Sequence, residues 1–270
     1  MPCKRTFCLV TLLLILALAI SGCLPAPGSK TRTSRTSSSD IGTADEKSRS
    51  YMNLAAALIL EQEYTMALSE LEKAKAINPR NTDLDNYFGM AYYGLQEFEL
   101  SALSYQKALS LRPDRTDIRN NLGLAYLAQK QYDQALAEFE TAGKDLTYEK
   151  KYLPMANIGL TYLEMGRYDD ALTALNKVTR VAPTYGAAYQ LIGRTYLAKG
   201  NPRDAADYLN NAAKLNPDDP ATYMALGEAL GSLGRTQEAA EAYGRVATLM
   251  PNTPIALEAQ KKARRLMGFD

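Results

Sequence analysis

The stretch that decides the fold begins with Asn121-Leu122-Gly123-Leu124-Ala125-Tyr126 and continues through Tyr132, Ala135, Phe139 and Ala142. Its apolar and small residues recur at the three- and four-residue spacing of an amphipathic helix. The pattern returns along the chain from Asp45 onward, so this stretch is one copy of an internal repeat. A repeated helical unit predicts an all-α protein.

The repeat has a period of 34 residues, marked by Pro79 and Pro113 and again by Pro183, Pro217 and Pro251. Each proline is expected to end a helix, because its ring cannot continue the hydrogen-bond ladder. A glycine inside a helix costs about 1 kcal/mol relative to alanine, so a fixed glycine indicates that two antiparallel helices touch there beside a large residue. Glycines keep the period at Gly89 and Gly123 and again at Gly159, Gly193 and Gly227, and large residues keep it at Leu71, Tyr105 and Phe139 and again at Leu175, Leu209 and Tyr243.

This pattern resembles the tetratricopeptide repeat, a helix-turn-helix unit of 34 residues. The resemblance implies a right-handed superhelix, an α-solenoid, that occupies residues 46–270. Its basic run Lys261, Lys262, Arg264 and Arg265 is interpreted as the solvated outer face of a C-terminal capping helix. The expected repeats lie near residues 48–81, 82–115, 116–149, 152–185, 186–219 and 220–253, followed by the capping helix at 254–267.

The first 22 residues are typical of a lipoprotein signal peptide. Two positive residues precede an apolar run, 7–20, that is too short to span a bilayer comfortably. The run ends in Ile20-Ser21-Gly22-Cys23, which resembles the lipobox of bacterial lipoproteins, where the cysteine receives a diacylglycerol. A plain signal peptide with an incidental cysteine is the alternative. We predict lipidation at Cys23.

Residues 23–45 are predicted to form a lipidated, flexible tether, because they are rich in Pro, Gly, Ser and Thr and lack apolar periodicity. Leu24 is not acidic, and by resemblance to the sorting rule of enterobacterial lipoproteins this implies the bacterial outer membrane. We therefore expect a lipid-anchored protein that faces the periplasm.

The composition argues against several classes of function. The formal net charge of the whole chain is +1, so no broad attraction to nucleic acid is expected. The chain has no histidine, which removes the commonest acid-base group and metal ligand. The glycine-rich segment 227–234 belongs to a repeat, and the pairs Asp169-Asp170 and Asp218-Asp219 stand at helix starts, where they would satisfy free N–H groups. We predict a protein that is not an enzyme, with no catalytic residue, metal, cofactor or small-molecule substrate.

The repeat spacing slips once. Gly123 and Gly159 are 36 residues apart, and Thr147 stands where a proline is expected. The surrounding segments resemble the corresponding region of the type IV pilus biogenesis lipoproteins called PilF, PilW or Tgl. They are Asn120-Asn121-Leu122-Gly123, Lys130-Gln131-Tyr132, Asp145-Leu146-Thr147-Tyr148-Glu149 and Asn157-Ile158-Gly159-Leu160.

The resemblance implies a pilotin, an outer-membrane adaptor that helps the secretin subunit of the pilus to localise and assemble. In the tetratricopeptide family the first helices of the repeats line a concave groove. The resemblance therefore implies that the partner binds to residues of these first helices. The groove residues would be Asn86, Met90, Tyr93, Asn120, Leu124, Leu127, Ala156, Leu160, Leu163, Gln190 and Arg194.

Thr147 and Tyr148, at the slip, are candidates for a family-specific contact, because they interrupt a spacing that is otherwise kept. The partner is expected to be a protein, the pilus secretin subunit, and the membrane is reached through the lipid. The alternative is a general periplasmic scaffold lipoprotein that serves envelope, peptidoglycan or exopolysaccharide assembly.

Overall fold

The computed structural model describes residues 44–269, which form thirteen α-helices and no strand. The predicted signal peptide, Cys23 and nearly all of the predicted tether lie outside the described residues. The helices are α1 (Ala44–Leu60), α2 (Tyr64–Ile77), α3 (Leu84–Gly94), α4 (Phe98–Leu111), α5 (Thr116–Ala128), α6 (Tyr132–Gly143), α7 (Tyr152–Glu164), α8 (Tyr168–Val181), α9 (Gly186–Ala198), α10 (Pro202–Leu215), α11 (Pro220–Ser232), α12 (Thr236–Leu249) and α13 (Pro254–Leu266).

The first twelve helices pair in chain order into six helix-turn-helix repeats, and α13 follows alone. Where the period predicts a helix end, the second helix of the repeat stops two residues before the proline, as α4 does at Leu111 before Pro113. The all-α tetratricopeptide fold, with six repeats and a final helix, is confirmed.

The chain divides into two compact units. Residues 44–148 hold α1 to α6, and residues 149–269 hold α7 to α13. The division falls in the segment between α6 and α7, where the repeat spacing slips. Helix α6 has 12 residues, whereas the second helices of the other repeats have 14. The segment that follows it, 144–151, has eight residues in place of the usual four. We call this segment the connector.

Each of the last five repeats is held together by a glycine of its first helix and a large side chain of its second. A Cβ atom at Gly123 would lie 2.5 Å from Cε1 of Phe139, so only glycine lets the ring approach the α5 backbone. Phe139 is fully buried there. The predicted close approach is confirmed, and it recurs for Gly89 with Tyr105, Gly159 with Leu175, Gly193 with Leu209 and Gly227 with Tyr243.

The turn inside each repeat needs one residue with a left-handed backbone. Glycine supplies it in the last three repeats, as at Gly200 with φ +78°. In the first three repeats the residue carries a side chain, namely Gln62, Gln96 and Lys130, with φ of 61° to 63°. A left-handed residue with a Cβ costs roughly 1–2 kcal/mol, so these three turns retain a local strain that the last three lack.

The two predicted acidic pairs differ in their roles. Asp219 caps α11 as expected, accepting hydrogen bonds from the backbone N–H groups of Ala221 and Thr222 at 3.2 and 3.1 Å. Asp169 and Asp170 lie in the first turn of α8, as predicted, but α8 has no side-chain capping hydrogen bond. Asp169 instead pairs with Lys199 at 2.5 Å, and Asp170 pairs with Arg167 at 2.8 Å.

Candidate functional site

The first helices of successive repeats lie beside one another within each unit. In residues 44–148, α3 contacts α1 and α5, and in residues 149–269, α9 contacts α7 and α11. The predicted groove residues therefore form two sets on neighbouring helices. The first set is Asn86, Met90, Tyr93, Asn120, Leu124 and Leu127, and the second is Ala156, Leu160, Leu163, Gln190 and Arg194.

Most groove residues are buried. Leu163 and Arg194 are partly exposed, and each of the other nine is at most 7% exposed. Direct access for a partner is therefore greatest at Leu163 and Arg194. The contact role of all eleven residues stays a prediction.

Asn86 stands out among the buried groove residues. It is 6% exposed, and its Oδ1 atom has no hydrogen-bond partner within residues 44–269. A buried polar atom without a partner costs about 1–3 kcal/mol.

The two sets differ in chemistry. Tyr93 in the first set packs edge-on against Phe98, with the ring centroids 5.2 Å apart, and burial raises the pKa of its hydroxyl. In the second set Arg194 reaches from α9 to Glu164 of α7, at 3.6 Å between Nη2 and Oε1. The first set is therefore mainly apolar and buried, whereas the second contains a charged residue that pairs with Glu164.

A shallow hollow lies in the unit formed by residues 149–269. It brings together two predicted groove residues, Ala156 and Gln190, with Tyr185. The rings of Tyr185 and Tyr152 lie 4.9 Å apart, and burial, with a smaller contribution from Tyr152, raises the pKa of Tyr185 to about 12. Further polar side chains that sequence reasoning did not select line the same hollow, namely Asn157, Asn216, Asp219 and Thr222.

The connector is organised by Asp145. Its carboxylate accepts a hydrogen bond from the hydroxyl of Thr116 at 2.5 Å and two from Thr147, from the backbone N–H at 2.9 Å and the hydroxyl at 2.7 Å. Thr116 makes the largest contribution to lowering the pKa of Asp145 to about 2. Of the two predicted contact residues, Thr147 is exposed but bonded to Asp145, and Tyr148 is partly buried.

The sequence analysis did not select Leu146 as a candidate contact residue. Its side chain is 86% exposed, the highest value among the exposed large hydrophobic residues. An apolar residue next to the irregular spacing was the signal that could have found it. Together, Leu146, Thr147 and Tyr148 present one apolar and two polar side chains on the connector.

Residues 44–269 contain no group of three or more cysteine or acidic side chains that could hold a metal ion. Among those residues, none of the helices combines the length and the apolar character needed to cross a membrane.

The repeats match known family patterns. The tetratricopeptide repeat family matches residues 48–81, 153–218 and 191–254, and a further repeat pattern of the same kind matches 89–130. These ranges omit residues 131–152, which contain α6 and the connector. The chain is a tetratricopeptide repeat protein, and it resembles the pilus biogenesis members of that class in structure.

Solved structures support the same conclusion. PilW, described as a widely conserved type IV pilus biogenesis factor, aligns with 22% identity and a TM-score of 0.66 over 78% of this chain and 97% of its own. The pilF protein of Pseudomonas aeruginosa aligns with 20% identity and a TM-score of 0.62 over 81% of this chain and 99% of its own.

A tetratricopeptide repeat protein from Parabacteroides merdae aligns with 17% identity and a TM-score of 0.68, over 80% of this chain and 84% of its own. At these identities the likeness is one of fold. No curated protein sequence matches the chain.

Proposed function

We propose that this protein is a lipid-anchored adaptor of the bacterial outer membrane that helps a type IV pilus secretin to localise and assemble. One observation carries the proposal. A lipobox ending at Cys23 precedes six repeats whose fold matches nearly the full length of PilW and of pilF. The tetratricopeptide scaffold by itself supports a role in binding a protein partner.

In the proposed mechanism no residue is catalytic. The lipid on Cys23 holds the repeats at the membrane, and the first helices bind a segment of the secretin subunit. Tethering raises the effective concentration of that segment near the membrane where it must assemble. Leu163 and Arg194, the two partly exposed groove residues, would contact its side chains.

Deletion of the gene tests the proposal. We expect heat-stable secretin multimers to fall on an immunoblot while the secretin monomer remains, and piliation to be lost. Normal multimers and normal piliation would reject the pilotin role and favour the general envelope scaffold. Re-expression of the parent chain should restore both readouts.

A Cys23→Ala variant tests the anchor separately. Without the thiol no thioether to lipid can form, so the protein should move from the membrane fraction to the soluble periplasm. Secretin multimers should then fall although the repeats are intact. Continued fractionation with membranes would show that the anchor assignment is wrong.

The connector contact can be tested with a pair of matched variants. Leu146→Asp places a charge on the exposed connector, and Leu103→Asp places the same charge on α4, where Leu103 is 62% exposed. Both should fold, because neither side chain is buried. Loss of multimers with Leu146→Asp alone supports the contact, whereas equal multimer levels in the two variants contradict it.

A further inference from the structure

Helix α13 has an inner face that closes the last repeat. Ala259 packs in one buried cluster with Met224, Tyr243 and Val246, and Leu266 packs against that cluster. The inner face fixes which side of α13 turns to solvent.

The solvent side of α13 is strongly basic. Lys261, Arg264 and Arg265 are exposed, and within residues 44–269 no carboxylate lies at ion-pair distance from any of them. Lys262 differs, because it is half-buried and pairs with Glu258 at 3.8 Å. Because residues 261, 264 and 265 lie on one face of the helix, their three charges form a local concentration of positive charge.

Large apolar side chains border these cations. Leu257 is 55% exposed, Met267 42% and Phe269 62%. Gly268, with φ +80°, ends the helix in a left-handed turn, and the N–H of Phe269 donates to the carbonyl of Arg264 at 3.0 Å. This C-cap holds the backbone of Phe269 against the last basic turn.

We propose that this outer face of α13 binds the surface of a bilayer that contains anionic phospholipid. Lys261, Arg264 and Arg265 would contact lipid phosphates, and Leu257, Met267 and Phe269 would enter the headgroup boundary. Cations beside exposed apolar and aromatic residues are the features with which interfacial helices bind anionic membranes. The overall charge balance, 31 basic against 30 acidic residues, gives the whole chain no net attraction to an anionic surface, so binding would depend on this local cluster.

In a lipidated protein, the outer face of α13 would make a membrane contact in addition to the lipid. The diacylglycerol predicted on Cys23 already supplies two acyl chains, so the outer face of α13 would add a second point of contact and would not be needed as the anchor. The outer face of α13 would supply a second contact at the opposite end of the sequence from Cys23. Its cellular role rests on the proposed lipidation, but its lipid binding does not depend on the secretin.

Vesicle binding by the full chain carrying Cys23→Ala, purified from the periplasm, tests the proposal without an acyl chain. One set of vesicles contains equal parts of phosphatidylglycerol and phosphatidylethanolamine, and the other contains phosphatidylcholine alone. We expect co-sedimentation with the first set only, weakening as salt is added. Equal binding to both sets, or binding to neither, would overturn the proposal.

Matched charge reversals locate the binding surface. Lys261→Glu with Arg264→Glu and Arg265→Glu should lower affinity for anionic vesicles by about 100-fold, since each cation near a charged membrane contributes about 1 kcal/mol. The control, Lys177→Glu with Arg203→Glu and Lys214→Glu, changes exposed residues of the same unit by the same total charge and should bind as the parent. Equal loss in both variants would show only a net-charge effect and would refute the site.

Two further measurements check that the triple variants are folded and test the apolar part of the contact. Thermal unfolding should be alike for both triple variants, and if the first unfolds early, Gln replaces Glu at its three positions with the same expected loss of binding. Phe269→Ala with Leu257→Ala should weaken the binding that remains at high salt. Unchanged high-salt binding in this double variant would contradict the apolar part of the contact.

Discussion

The hydroxyl of Thr116 donates a hydrogen bond to the carboxylate of Asp145 at 2.5 Å. Thr116 is the first residue of α5, and Asp145 lies just beyond the end of α6. The bond therefore joins the start of the third repeat to the connector that follows it. Since Thr147 bonds the same carboxylate, one side chain fixes the conformation of the irregular segment.

Thr116→Val should raise the pKa of Asp145 from about 2 towards the ordinary 3.8, because the largest cause of the shift is removed. A carboxyl titration by NMR measures this. The folded pKa is depressed, so the bonds to the carboxylate stabilise the fold fully above about pH 4 and lose this effect as pH falls towards about 2. Thr141→Val is the control, because the Thr141 hydroxyl bonds the carbonyl of Ala137 instead. An equal shift in both variants would contradict the assignment.

Gly123→Ala should lower the free energy of unfolding by about 1–3 kcal/mol, the usual cost of overpacking. The new Cβ would lie 2.5 Å from the buried ring of Phe139. Urea denaturation gives the value. Gly244→Ala is the matched control inside α12, where a Cβ meets nothing within 4 Å, and it should stabilise by up to about 1 kcal/mol through helix propensity. A rise in the free energy of unfolding for both variants would show that the contact between Gly123 and the ring of Phe139 is not tight.

Lys130→Gly should raise the free energy of unfolding by about 0.5–1 kcal/mol. It relieves the left-handed strain of roughly 1–2 kcal/mol and loses part of that gain to the greater freedom of the unfolded chain. Gly200→Ala is the converse change, since a Cβ there meets nothing within 4 Å and only the backbone at φ +78° opposes it. It should destabilise by about 1 kcal/mol. Thermal or urea unfolding of both variants checks the pair, and a destabilised Lys130→Gly would disprove the strain.

The repeat spacing was enough to predict the helix pairs, the helix ends before prolines and the contact of Gly123 with Phe139. These features depend on local chemistry, because a proline stops a helix and a missing side chain admits a ring wherever they occur. The capping role of Asp219 followed in the same way.

Other features depend on neighbours that spacing does not reveal. A lysine at position 130 gives no sign of a left-handed backbone, because the turn is imposed by the packing of α5 on α6. Asp169 and Asp170 resemble caps in sequence, yet Lys199 and Arg167 lie close enough to pair with them. The helical period showed which side of α3 carries Met90 but not how little of that side chain stays exposed.

The slip in spacing was visible in sequence, but its structural form was not. Two added residues could have lengthened a helix. Instead α6 is shorter and the connector longer, because the hydrogen bonds of Asp145 stabilise a turn that a helix would not allow. The division of the chain into two compact units at the same place was likewise not predicted.

The connector is also a site where a tag can be inserted. It joins two units that each keep their own buried side chains, and Leu146 at its tip makes no buried contact. Exposed loop tips of this kind tolerate insertions well. A short epitope tag inserted after Leu146 should therefore leave both folded halves intact while it separates Asp145 from Thr147, so the tagged protein would show in living cells what the connector contributes.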